Sequence, residues 1–246
     1  MRVPLGRVLG VRLAAHPSWL LILSLVVYAV YTDFAREESQ LSQLSLVGFG
    51  AGTALLFFAC LVSHELAHAV VARRLGVPVR GITLFLLGGV AEITREVRVA
   101  RDEFAIALIG PTVSVLLGGL FALTAVTAAG TPFERAAGTL AVANGAVGAF
   151  NLVPGLPLDG GRLLRSALWA ATGNYRTATR IGSAAGRVIA LGLLVAGAAV
   201  LLAGSFVGVW YLLLAWFLDE SARRAGTLTA PSGSQRSTRR TARRPG

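Results

Sequence analysis

The stretch "LVSHELAHAVVARRLG", residues 61–76, decides how this chain is read. It continues an apolar run that begins near Leu46, yet it carries His64, Glu65 and His68 in the pattern HExxH. On a helix, residues i and i+4 share a face, so both imidazoles can reach one metal ion, and Glu65 stands beside them as a candidate general base. The alternative is a chance motif on a purely structural helix. Cost argues against that: an acidic side chain at the centre of a membrane helix costs about 2.5–3.5 kcal/mol, and a structural helix gains nothing from carrying one.

The surroundings of that stretch read like lipid. Of 246 residues, 54% are hydrophobic and only 14% are charged, well below the charged share of an ordinary soluble domain. Several apolar runs approach or exceed the ~18–20 residues that cross a bilayer as a helix. The sequence therefore predicts an all-α polytopic membrane protein with about six transmembrane helices. The spans are expected near residues 17–31, 46–73, 102–128 and 135–153, with two more from a split of the run 181–218 at Gly204-Ser205. A shorter helix is expected over 160–172. The single cysteine, Cys60, lies inside the second span; it excludes an internal disulfide and reads as a small core residue. The apolar run after Arg2, Arg7 and Arg12 lacks a convincing small-residue cleavage site and reads as a retained first helix.

Every basic residue is arginine, and the formal net charge is +11. A basic balance can mark nucleic-acid binding, but here the arginines collect between apolar runs and in the tail. Six spans put all of them on one side except Arg36 and Arg135. The positive-inside rule then predicts a cell-membrane protein with both termini cytoplasmic, and no nucleic-acid partner. Between spans two and three, "VRGITLFLLGGVAEITREVRV" (residues 79–99) is β-branched, carries Gly88-Gly89 and alternates charged with apolar residues. It predicts a small membrane-associated β-hairpin, or a re-entrant loop. Residues 1–224 form the expected membrane domain. Residues 225–246, rich in Ser, Thr, Gly, Pro and Arg, are expected to be a disordered cytoplasmic tail drawn to anionic headgroups.

A zinc site needs a third protein ligand and an open position. His16, before Pro17 at the mouth of the first span, reads as interfacial. Among the twelve acids, Asp33, Glu37, Glu38 and Glu134 fall on the far side. Glu92, Glu96, Asp102 and Glu103 sit among arginines, and Asp219 and Glu220 precede Arg223 and Arg224. Asp159 remains, in "FNLVPGLPLDGGRLLR" (residues 150–165), close to the cytoplasmic end of span four and at the depth of His64 and His68. An ordinary helix N-cap is the competing role for Asp159.

HExxH on one span, followed by Asn151, Pro154, Pro157, Leu158, Asp159, Gly160 and Gly161, resembles the site-2 proteases, the intramembrane zinc metalloproteases. "LFLLGGVAEI" (residues 84–93) looks like the membrane-dipping sheet element of their bacterial and archaeal branch. The resemblance covers roughly residues 1–224. It implies one Zn2+ per chain held by His64, His68 and Asp159, with Glu65 as general base and proton shuttle. It also implies Asn151 as a group that holds the scissile carbonyl or its oxyanion. Asn144, seven residues earlier on about the same helical face, is a second candidate for binding substrate backbone; a helix–helix hydrogen bond is its equal alternative. Many members of the branch carry two CBS domains after the last span; here an arginine-rich segment is expected in their place, and no PDZ domain is expected.

The implied substrate is a transmembrane segment of another protein, such as an anti-sigma factor or other single-span protein, met within the lipid bilayer. The resemblance implies regulated intramembrane proteolysis. The main rival is a non-proteolytic metal-binding membrane protein or transporter. That reading calls for further intramembrane charges along a path, and the sequence offers only Glu65 and Asp159. A zinc protease whose third ligand is a glutamate on a later helix is a further rival, with no glutamate well placed for it.

Overall fold

The structure, a computed structural model, describes residues 3–37, 40–85, 88–93 and 97–227. Two short strands open the chain, β1 (Val3–Val8) and β2 (Val11–Ala15). Helices α1 (Ser18–Glu37) and α2 (Gln43–Arg74) follow, then β3 (Val79–Phe85) and β4 (Gly88–Ile93). The rest is helical: α3 (Ala100–Thr127), α4 (Pro132–Asn151), α5 (Asp159–Thr172), α6 (Tyr175–Leu202) and α7 (Val207–Thr227). Six long helices and the short α5 match the expected elements. The last apolar run divides where Gly204 adopts φ 85° and its N–H bonds the carbonyl of Leu201. Three helices, α2, α3 and α6, are long and apolar enough by length and composition to cross a membrane.

Their outer faces explain why lipid is the solvent. Leu116, Leu120, Leu123 and Val126 on α3 are all exposed, as are Val188, Leu191 and Val195 on α6. In water such a surface would drive aggregation; in hydrocarbon it costs nothing. Hydroxyls within these helices bond their own backbone one turn back, Ser63 to Ala59, Thr112 to Leu108 and Thr124 to Leu120. That satisfies them where no water is at hand.

Between helices, small residues allow close approach, as expected where the hydrophobic effect does not drive packing. α2, α3 and α4 form the centre, α1 flanks α2, and α5 lies between α3 and the α6–α7 hairpin. The connection from α4 to α5 presses against α6: the N–H of Leu156 donates to Gly182 O at 3.0 Å. A Cβ added at Gly186 would lie 2.0 Å from the Leu156 carbonyl oxygen. The Leu156–Pro157 peptide is cis.

The sheet corrects the sequence reading. It has four strands in the order β1-β2-β3-β4, so it is not confined to the segment between the second and third helices. β1 and β2 pair antiparallel, β2 and β3 parallel, and β3 and β4 antiparallel. Val11, Leu13 and Ala15 point inward onto Leu66 and Ala69 of α2, with Ile82 beside them. That alternation of Val11, Leu13 and Ala15 with Arg12 and Ala14 is the period-two pattern of a half-buried strand. The sheet thus packs beside the HExxH turn itself. α7 runs to Thr227, slightly past the expected domain boundary. The expected tail, from 228 onward, lies outside the described residues, as does any turn at residues 86–87.

Candidate metal centre and active site

α2 presents His64 and His68 one turn apart on its buried face, as the i,i+4 spacing requires. α5 supplies Asp159. Leu158 occupies the N-cap position, and Asp159 is the first residue of the helix with no capping bond from its side chain. The Asp159 carboxylate turns to the histidines instead. Asp159 Oδ2 lies 3.2 Å from His64 Nε2 and 3.1 Å from His68 Nε2, and the two Nε2 atoms are 3.2 Å apart. All three residues are buried.

The triangle has the size and chemistry of a zinc site. Bonds of about 2.0–2.1 Å in a tetrahedron require donor–donor edges of about 3.3 Å. The far side of the His68 ring fixes its tautomer. His68 Nδ1 lies 2.6 Å from the carbonyl oxygen of Ile106, which can only accept, so Nδ1 carries a proton and the neutral ring keeps its lone pair on Nε2. His64 Nδ1 lies 2.9 Å from Ser114 Oγ. These outer partners hold both rings toward one point. With both rings neutral and protonated at Nδ1, two imidazole lone pairs and a carboxylate oxygen would meet at one point, an arrangement that a cation among them stabilises. Gly110 keeps that point open: a Cβ there would lie 2.2 Å from His68 Nε2 and 2.7 Å from His64 Nε2. Among the described residues, His64, His68 and Asp159 are the one group of three or more His, Cys, Asp or Glu side chains so disposed.

α3 thus contributes three features absent from the sequence reading: the Ile106 carbonyl, the Gly110 gap and the Ser114 hydroxyl. A signal for them exists in "IGPTVS" (residues 109–114), a glycine–proline pair in the middle of an apolar helix. Pro111 cannot donate to the carbonyl of Ala107, so the helix ladder is interrupted one residue from the carbonyl that His68 uses.

A second polar cluster fastens α5. Glu103, in the first turn of α3, is 2% exposed and accepts from Arg165 Nε at 3.0 Å and from Arg165 Nη2. Arg165 also lies over the ring of Tyr175. Arg162 faces the free oxygen of Asp159, Nη1 to Oδ1 3.6 Å, and its Nε is 4.0 Å from Glu103. In the sequence Glu103 stands among arginines; its burial and its partners on α5 are visible only in the fold.

The other expected residues are placed as follows. Glu65 is partly buried on α2, within electrostatic reach of His64, His68, Asp159 and Arg162. Asn151, the last residue of α4, is partly buried and donates to Val147 O at 3.0 Å. Asn144 is buried, donates to Leu140 O at 2.8 Å and contacts Cys60 of α2. His16 stands apart from the cluster; its Nδ1 accepts from the N–H of Ser18, the first residue of α1. Asp33 pairs with Arg135 at 3.4 Å, joining α1 to α4 at the opposite end of the bundle. Asp219 and Glu220 pair with Arg223 and Arg224.

Residues 52–139 and 127–193 match peptidase family M50. The chain belongs to that family. The M50 match takes in the HExxH turn of α2 and Asp159. A putative zinc metalloprotease, Rip3, of Mycobacterium tuberculosis is 41% identical over 230 residues, 92% of this chain. The putative zinc metalloprotease sll0528 of Synechocystis is 40% identical over 226 residues. The chain spans 58% of the length of each of these relatives. The solved structure of a site-2 protease from Methanocaldococcus jannaschii superposes with a TM-score of 0.61 at 26% identity, covering 92% of this chain and 95% of that one. M50 membership, these relatives and the donor triangle agree on a membrane protein with a site fit for zinc.

Proposed function

We propose that this chain is a zinc-dependent intramembrane endopeptidase that cuts other membrane proteins within or near their membrane-spanning segments. The observation that carries the reading is the buried triangle of His64, His68 and Asp159 with Glu65 beside it, inside a bundle whose outer faces are apolar. Family M50 membership and the names of the relatives support it.

When bound, zinc supplies a Lewis acid that polarises a peptide carbonyl and makes water a usable nucleophile near neutral pH. His64, His68 and Asp159 would hold it. Glu65 Oε takes the proton from the attacking water and later delivers it to the nitrogen of the leaving amine. Asn151 can turn its amide from the Val147 carbonyl of its own helix toward the scissile carbonyl. A helical substrate hides its carbonyls in its own hydrogen bonds, so it must unwind locally before attack. β4 is a sheet edge and can take up the unwound segment as an added strand.

The substrate class is a single-span membrane protein, an anti-sigma factor among the candidates, cut in regulated intramembrane proteolysis. The chain would lie in the cell membrane with both termini cytoplasmic, where the arginines concentrate. Co-expression with tagged anti-sigma factors and other single-span proteins of the same cell tests the proposal. Cleavage by wild type and none by Glu65→Gln is the expected outcome. Cleavage by both would remove the chain from the reaction, and cleavage by neither across the whole set would contradict the proteolytic reading.

A further inference from the structure

The outer face of the sheet carries a second polar site, separate from the triangle. Arg7 of β1 and Arg12 of β2 are directly opposite one another in the ladder. Like charges in that position destabilise a strand pair. Arg80 of β3 joins them: Arg12 Nε points to the Arg80 carbonyl at 3.4 Å. All three side chains are exposed, and among the described residues no carboxylate pairs with any of them. This differs from other arginines of the chain, such as Arg135, Arg165, Arg187, Arg223 and Arg224, which each face an acid. The three line a groove of about 370 Å³ whose floor includes Gly6 and Gly81. At Gly81 a Cβ would lie 3.3 Å from the Arg12 Cβ, so the bare backbone leaves room between the guanidinium stems.

The position of the groove says what fills it. α2 has 32 residues, about 48 Å of helix against a hydrocarbon core of ~30 Å, and its apolar run ends at Arg73 and Arg74. Arg73 Nη1 donates to the Leu9 carbonyl at 2.7 Å, which ties the β1–β2 turn to that end of α2. The groove therefore lies where a bilayer gives way to water. Leu9 occupies the turn with φ 50°, a left-handed conformation that favours Gly or Asn, and its side chain is 70% exposed. Leu5 of β1 is exposed too. Apolar side chains beside unpaired arginines at the end of a membrane helix make the amphipathic surface that lies in a headgroup layer.

We propose that Arg7, Arg12 and Arg80 form a binding site for the phosphate of an anionic phospholipid, with Leu5 and Leu9 set among the acyl chains. The bound phosphate offsets the Arg7–Arg12 repulsion and anchors the sheet, which packs on Leu66 and Ala69 beside the HExxH turn. The inference requires only that α2 crosses the membrane; it is independent of whether the chain cuts peptides.

The test uses the full chain purified in detergent and titrated with phosphatidylglycerol, phosphatidylcholine and inorganic phosphate, with lipid retention read by native mass spectrometry. Wild type should retain phosphatidylglycerol in preference to phosphatidylcholine. At about 1 kcal/mol per arginine, the triple variant R7Q/R12Q/R80Q should bind phosphatidylglycerol about a hundredfold more weakly, and R12Q alone about fivefold. A control, R98Q/R101Q/R176Q, removes the same charge from exposed positions outside the groove and should leave binding within twofold of wild type. Thermal melting checks that each variant is folded; should the triple variant fail to fold, the single variant decides. Equal losses in groove and control variants, or no loss in R12Q and the triple variant, would overturn the site. Displacement of the lipid by millimolar inorganic phosphate would make it a soluble-phosphate site and overturn the lipid assignment.

Discussion

At the scale of single residues, the site depends on what stands behind and in front of the two imidazoles. Behind His68, the Ile106 carbonyl dictates the tautomer; behind His64, the Ser114 hydroxyl sets the ring. Ser114→Ala should weaken zinc binding by about tenfold to a hundredfold without abolishing it, measured by competition with a chromogenic chelator. In front of both rings, Gly110 leaves the gap an ion needs. Gly110→Ala should give folded protein with little or no zinc, since the new methyl would sit against both Nε2 atoms. Full zinc occupancy in that variant would show that the rings can part from α3. His64 and His68 were legible in the sequence because their relation is local: four residues on one helix. Asp159 lies 95 residues from His64 and was reached only by excluding the other acids and by resemblance. Gly110 and Ser114 were not legible, because their role arises from α3 packing on α2, a relation that no spacing within "IGPTVS" encodes.

At the scale of elements, α5 is the part that must be held. It carries Asp159 to the histidines, and its own anchorage is the pair between Glu103 and Arg165, a charge pair with side chains 2% and 15% exposed. Removing one partner of such a buried pair leaves the other uncompensated and costs about 3–5 kcal/mol. Glu103→Gln should therefore lower the melting temperature markedly. Arg224→Gln, at an exposed pair with Glu220, should leave it nearly unchanged. Similar melting for both variants would mean that Glu103 does not anchor α5. The helices themselves were readable from apolar run length, including the break at Gly204. The β1–β2 hairpin was not. Its strands have only six and five residues, its arginines served equally well as a topology signal, and β2 finds its parallel partner β3 more than sixty residues away. The alternation of Val11, Leu13 and Ala15 was the available clue.

At the scale of the whole molecule, the arrangement is a polar site enclosed by helices whose outer surfaces suit lipid. Asp33 with Arg135 marks one end; Arg73, Arg74 and the sheet mark the other. Reporter fusions at Gly130, between α3 and α4, and after Gly226 should report opposite sides of the membrane, with Gly226 cytoplasmic. The same side for both would break the six-span topology. The central claim is that α2 and α5 together make one zinc site in which Glu65 is a base and not a ligand. Zinc content of purified wild type, Asp159→Asn and Glu65→Gln tests it most directly. One zinc per chain is expected in wild type and in Glu65→Gln, and a sharp loss in Asp159→Asn, since Asn would serve a cap equally well but lacks the anionic oxygen. Wild-type zinc in Asp159→Asn, or zinc lost from Glu65→Gln, would contradict it.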